Sequence, residues 1–284
     1  MAKSVVVTGA NSGIGRATAL ELAGAGYEVY GTVRGEQKAA ALSASASEKG
    51  VQLTPVVCDV GDADSCAEGF AKIAASTGGG PWAVINNAGF AQPGAVEDVS
   101  EELARAQLDI NLLAPARVAK LVLPHMREAG DGRIVNVSSI AGRVSTPFMG
   151  WYSASKFGLE ALSDALRIEV AGFGVKVILV EPGGFGTDIW AGGGEVLPDA
   201  SHSAYSTAYQ RAQTVTARGG ELPDPIWVAR AIRLALATPV PLPRYLVGID
   251  AMSGLLGQTL TPTIVQDYVK GLASGVRKLP LMGG

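Results

Sequence analysis

The sequence predicts an α/β fold: a single doubly wound parallel sheet of about seven strands with helices on both faces. Three observations carry this. Short β-branched runs alternate with longer helical stretches through the first two thirds of the chain. The runs are nearly continuously apolar, the pattern of parallel strands buried on both faces. Each run is followed by a helical stretch, and right-handed crossovers then leave few topologies open.

The predicted strands are residues 4–8, 28–33, 52–58, 83–86, 132–137 and 175–181, with 244–247 as a seventh. Helices are predicted over 14–25, 35–47, 62–76, 100–126 and 152–171. The pattern changes near Asp188, where residues 192–220 become rich in Gly, Ser, Ala and Thr. An insert of this kind at the carboxyl edge of a sheet reads as a substrate lid, spanning about 188–220. Pro223 and Pro225 open a further helix, and Pro239, Pro241 and Pro243 close it. A tail over 254–278 reads as helical, and one catalytic domain over residues 1–284 is the economical division.

Composition narrows the function classes. Hydrophobic residues make up 48% and charged residues 17%, which excludes a disordered chain. A net charge of −3 offers no basic footprint for nucleic acid. Apolar runs fall short of the roughly 18 residues that read as a transmembrane helix. Met1-Ala2-Lys3 leads straight into Val5-Val6-Val7, so no secretory signal is expected. Cys58 and Cys66, the only cysteines, form no disulfide framework or metal-ligand spacing and read as packing residues. His125 and His202 have no metal-ligand spacing with other His, Cys or acidic groups. A cytoplasmic setting is expected.

Thr8-Gly9-Ala10-Asn11-Ser12-Gly13-Ile14-Gly15 directly follows the first strand and opens a helix. Glycines there let the backbone approach a pyrophosphate, whose charge the helix N-terminus favours. The Gly-x-x-x-Gly-x-Gly spacing differs from Gly-x-Gly-x-x-Gly, and a tight turn with close helix–strand packing is the plain alternative. At the end of the second strand stand Val33 and Arg34, with no carboxylate to hold a ribose 2′-hydroxyl. A guanidinium there suits a 2′-phosphate, which points to NADP(H).

Tyr152 and Lys156 lie four apart near a helix start and share one face. A free tyrosine titrates near pH 10. A fixed ammonium beside it is expected to favour the phenolate and lower that value. Ser138 and Ser139 end the strand 132–137, at the carboxyl edge where such sheets place ligands. Asn111 interrupts the apolar helix 100–126 within Ile110-Asn111-Leu112-Leu113, where a bond to the preceding turn is the plain alternative.

In family order and at family-like spacing, the chain resembles the classical short-chain dehydrogenases/reductases from about Lys3 to Thr187. The matching pieces are Thr8–Gly15, Asp59-Val60, Asn86-Asn87-Ala88-Gly89, Asn111, Ser139, Tyr152-x-x-x-Lys156 and Pro182-Gly183-x-x-x-Thr187. Val29-Tyr30-Gly31-Thr32-Val33-Arg34 and residues 244–251 look most like the branch of 17β-hydroxysteroid and retinol dehydrogenases. The resemblance implies a Rossmann-like fold and NADP(H)-dependent hydride transfer between a ketone or aldehyde and an alcohol. It implies that Ser139 polarises the carbonyl, that Tyr152 is the acid–base and that Lys156 also bonds the nicotinamide ribose. Asn111 would hold a water on its backbone, connecting Lys156 to solvent. Implied cofactor contacts are Gly9, Asn11, Ser12, Gly13, Ile14 and Gly15, then Asp59, Val60, Asn87, Ala88 and Gly89. Tyr152, Lys156, Pro182, Gly183, Phe185 and Thr187 complete them beside Arg34.

The substrate end is expected to be apolar. Val144, Phe148, Met149, Phe185, Ile189, Trp190 and Leu197 supply a wall around the polar pair Ser139 and Tyr152, and residues 189–210 hold no Lys or Arg. A steroid-, retinoid- or aryl-ketone-like substrate fits, although the same residues could simply pack the lid. Small residues Ala154, Gly158, Ala161 and Ala165 on the helix after Tyr152 would let another helix approach closely, although they could equally serve packing within the chain. The family resemblance, with its pairing through this helix and 100–126, implies a homodimer or homotetramer. A catalytically silent NADP(H)-binding regulator would not need a tuned acid. A sugar-nucleotide epimerase or dehydratase on this scaffold usually carries a longer C-terminal substrate domain.

Overall fold

The computed structural model describes residues 2–187, 203–210 and 222–277. Seven parallel strands form one sheet: β1 (Ser4–Val7), β2 (Glu28–Val33), β3 (Thr54–Val57), β4 (Ala83–Asn86), β5 (Gly132–Val137), β6 (Val175–Pro182) and β7 (Arg244–Val247). Their order is β3-β2-β1-β4-β5-β6-β7. Val5 pairs with Val29 on one side and Ala83 on the other, so the chain reverses its direction of travel at β1 and β4. The crevice above that reversal is where open α/β sheets bind ligands.

Helices α1 (Gly13–Gly24), α2 (Glu36–Glu48), α3 (Ala63–Thr77), α4 (Glu101–Leu108), α5 (Ala114–Ala129), α6 (Gly150–Glu169) and α7 (Ile226–Ala237) cover the sheet. On one face Val5, Val7 and Ile85 meet Leu22 of α1, Leu42 of α2 and Ile232 of α7. On the other, Val6, Val84 and Ile134 meet Phe70 of α3 and Val122 and Met126 of α5. Buried on both faces, the strands have no polar side to expose, which explains their continuous apolar runs. Side chains start two of the helices. Asp62 accepts from Ser65 N at 2.7 Å ahead of α3, and Ser100 accepts from Leu103 N at 3.3 Å ahead of α4.

Two predicted helices are divided. The stretch 100–126 becomes α4, a π-turn at Asp109–Leu113, and α5. Pro115 has no N–H to close the α-helical bond to the Asn111 carbonyl, and Ala114 N bonds instead to Asp109 O, five residues back. The tail becomes α8 (Ile249–Leu260) and α9 (Thr263–Ala273), broken at Pro262. Of the predicted lid, the described residues are 203–210, with a helical turn at 206–210. Ile189, Trp190 and Leu197 lie outside the described residues. Among the described residues no helix is long and apolar enough to cross a membrane.

Candidate active site

The Gly-rich turn between β1 and α1 is shaped by backbone demands. Gly9 and Gly13 have φ of +65° and +51°, a region that L side chains rarely adopt. A Cβ on Gly15 would fall 2.2 Å from Gly9 O and 2.4 Å from Asn87 Nδ2, so only hydrogen fits there. Ser12, in extended conformation, precedes α1 without a side-chain cap, and no acidic residue occupies the first turn. The helix N-terminus therefore keeps its positive field for an anion.

This turn is tied to the end of β4. Thr8 Oγ1 accepts from Asn87 N (2.9 Å) and Ala88 N (3.0 Å), while Asn87 Nδ2 donates to Thr8 O (2.9 Å). Together they form the floor of a cleft of about 580 Å³. Gly9, Asn11, Ser12, Gly13, Ile14 and Gly15 line it, with Asp59, Val60, Asn87, Ala88, Gly89 and Thr187. At its outer end stand Arg34 and Lys38, the latter from α2. Lys38 escaped the sequence reading, although its place four residues after Arg34 on a helix start was a usable signal. Glycines without room for a Cβ, an uncapped helix end and two cations fit a phosphorylated dinucleotide.

The structure joins Asn111, Ser139, Tyr152 and Lys156. Asn111 Nδ2 donates to Phe90 O (2.9 Å) and Ser155 Oγ (3.0 Å), and its Oδ1 accepts from Phe90 N (3.1 Å). Ser155 Oγ passes the chain on to the Tyr152 carbonyl (2.7 Å). Asn111 thus clamps the loop after β4 to α6 and does not bond back to its own preceding turn. A Cβ on Gly89 would lie 2.9 Å from Asn111 Oδ1, which fixes that close approach. Lys156 Nζ donates to Val137 O at 2.9 Å and lies 5.8 Å from the centroid of the Tyr152 ring. Ser139 Oγ accepts from Ala141 N (3.1 Å) and is only loosely committed as a donor, with Pro182 O at 3.5 Å.

One electrostatic expectation is corrected. Burial pushes the Tyr152 phenol up to about 12, partly offset by the Ser139 hydroxyl, and Lys156 does not bring it down. Burial also pulls Lys156 down to about 8, against the charge of Glu160. Desolvation disfavours both charged forms, and Lys156 loses its proton before the phenol would, so no ammonium charge remains to favour the phenolate.

At the expected substrate end, Val144, Phe148 and Met149 are half-buried. Phe148 holds φ of +65°, costly for a side-chain-bearing residue. Its ring meets those of Tyr209 (centroids 5.0 Å apart) and Tyr205 (5.9 Å). The Tyr209 hydroxyl accepts from Ala95 N and donates to Asp98, each at 2.6 Å. Asp98 also accepts from Ser203 at 2.6 Å. Tyr205, Tyr209 and Asp98 were not identified from sequence. Phe185 packs into the core with Val228 and Ile232. Pro182 ends β6, and just beyond it Gly183 N bonds to Val247 O and Gly184 N to Asp250. Ser138 turns towards Glu160 and away from backbone partners.

A doubly wound sheet with a dinucleotide cleft at its reversal point and a Ser–Tyr–Lys group beside it defines a nicotinamide-dependent oxidoreductase acting on CH–OH or C=O groups. Residues 3–195 match the family model described as short chain dehydrogenase, and the chain belongs to that family. It is 40% identical over 183 residues to a 3-ketodihydrosphingosine reductase of Bacteroides thetaiotaomicron, spanning 64% of each chain. It is 32% identical to retinol dehydrogenase 7 of Rattus norvegicus, over 94% of this chain and 87% of that one. A solved short-chain dehydrogenase from Streptomyces avermitilis superposes with a TM-score of 0.78 at 32% identity, covering 98% of both chains.

Proposed function

We propose that the chain is an NADP(H)-dependent reductase of apolar, medium-sized ketones or aldehydes, running in reverse as an alcohol dehydrogenase. The observation that carries this is a buried Tyr152 beside Ser139 and Lys156, next to a cleft lined by two cations, Arg34 and Lys38. The Gly-rich turn, Arg34 and Lys38 would hold NADPH, which would supply the hydride. Ser139, whose hydroxyl lies beside the Tyr152 phenol and reaches Pro182 O only at 3.5 Å, donates to the carbonyl oxygen and orients it. Tyr152 gives its phenolic proton to that oxygen as negative charge develops there. Lys156 lends positive charge to the resulting phenolate, and Asn111 holds α6 against the loop after β4.

Support for an apolar substrate comes from the aromatic group Phe148, Tyr205 and Tyr209 just ahead of α6, beside half-buried Val144 and Met149. Burial of apolar surface contributes about 25 cal/mol per Å², and the partly exposed Phe148 and Tyr205, backed by the fully buried Tyr209, would offer such surface. The names of two relatives, a retinol dehydrogenase and a 3-ketodihydrosphingosine reductase, point the same way. The test follows loss of the reduced-nicotinamide absorbance with steroid, retinoid, aryl-ketone, sugar and keto-acid substrates. Catalytic efficiency should be highest for an apolar ketone or aldehyde. A sugar or small keto acid winning by about tenfold, or 1.4 kcal/mol, would refute the reading.

A further inference from the structure

One turn beyond Lys156 on α6, Glu160 is buried with only 5% of its surface exposed. Its Oε2 lies 3.1 Å from Arg244, on β7. Arg244 also reaches Glu181 of β6 at 3.1 Å and Asp164 of α6 at 2.7 Å. Arg143, from the turn after Ser139, is 3.2 Å from Glu181, and Arg167 is 2.7 Å from Asp164. Three carboxylates and three guanidiniums therefore balance, and Lys156 is the further cation on the same helix.

Glu160 is the member of this cluster that touches the catalytic side. Its Oε1 and the Ser138 Oγ are both buried, close to each other, and neither completes a well-aligned hydrogen bond. A Cβ on Gly142 would meet Ser138 Oγ at 2.9 Å, Glu160 Cγ at 3.0 Å and Lys156 O at 3.1 Å. The turn that carries Ser139 is thus packed directly on Glu160 and on the backbone of Lys156. Buried ion clusters bring little net stability compared with well-packed apolar groups, so a cluster placed here invites a role in positioning.

We propose that Glu160 is a positioning residue: its carboxylate, clamped by Arg244, keeps Lys156 charged and seats the turn that presents Ser139. The proposal rests on the Ser139–Tyr152–Lys156 reading and adds a residue that does not touch the reacting atoms. The groups facing Glu160 are Lys156 and Asp164 on α6, Ser138 at the end of β5, Glu181 on β6 and Arg244 on β7. Arg143 and Arg167 compensate Glu181 and Asp164 from outside. Neutralising Glu160 leaves that set with one excess positive charge. The ammonium of Lys156, already pulled down by burial, then loses its proton at lower pH.

The experiment follows the titration of Lys156 by NMR in the ligand-free, lysine-labelled protein, and the pH profile of kcat and KM with NADPH and a ketone. Glu160→Gln should move the Lys156 titration and the basic limb of kcat down by about one pH unit, with KM for the ketone little changed. Glu160→Asp keeps the charge but withdraws it by one methylene, and should move both in the same direction by less. If either variant folds and leaves the Lys156 titration and the basic limb where they were, the proposal is overturned and the oxidoreductase reading stands. If the unmodified chain reduces no carbonyl at all, the reaction reading fails instead, which the ligand-free titration reports separately.

Discussion

Cofactor choice should turn on single side chains. Arg34 and Lys38 reach one end of the cleft, and neither Val33 nor Arg34 offers a carboxylate to repel a 2′-phosphate. The double variant Arg34→Ala, Lys38→Ala should weaken NADPH binding by about tenfold or more while changing NADH binding far less. Fluorescence titration with both cofactors checks this, and equal losses for the two would show that the cations serve only the surface. Lys156 should set the pH range in the same way. A lysine lowered to about 8 is charged below that pH and neutral above it, whereas Tyr152 at about 12 keeps its proton throughout. Reduction should therefore decline as pH rises past about 8.

At the scale of elements, the π-turn and α6 matter most. Pro115 stands in the middle of the stretch 100–126, where a proline interrupts a helix, yet the apolar pattern on both sides of it read as one helix. Its consequence emerges only from asking which carbonyl loses a partner, and the answer is Asn111. Helix α6 shows the opposite relation between sequence and structure. Of its small residues, Gly158 packs within the chain, where a Cβ would fall 2.9 Å from Leu112 Cδ2. Ala154, Ala161 and Ala165 are exposed, alongside Phe157 at 43% and Ile168 at 75%. This apolar stripe, flat where the alanines lie, suits a second copy of the helix. Light scattering at micromolar concentration should give at least a dimer, and Ala161→Glu should shift it towards monomer. A monomeric mass for the unmodified chain would remove the stripe's proposed role.

Over the whole molecule, the sheet reversal at β1 and β4 brings a glycine turn, a strand-end serine and a helix-start tyrosine to one crevice. Those parts were readable because each is local: a turn, a strand end, a spacing of four. What stayed hidden depends on distant pairing. Tyr209 meets Asp98 across 111 residues, and Arg244 meets Asp164 across 80, with no periodic pattern to announce either contact. The pKa order of Tyr152 and Lys156 was also beyond the sequence, because it depends on burial that only the folded chain supplies. The chemistry assigned to this crevice depends on one proton. Tyr152→Phe keeps the ring and removes the donor, so steady-state turnover with NADPH and the best ketone should fall by about 10²–10⁴, while NADPH affinity stays near that of the unmodified chain. Turnover within a few-fold of the unmodified chain would mean that Tyr152 is not the acid.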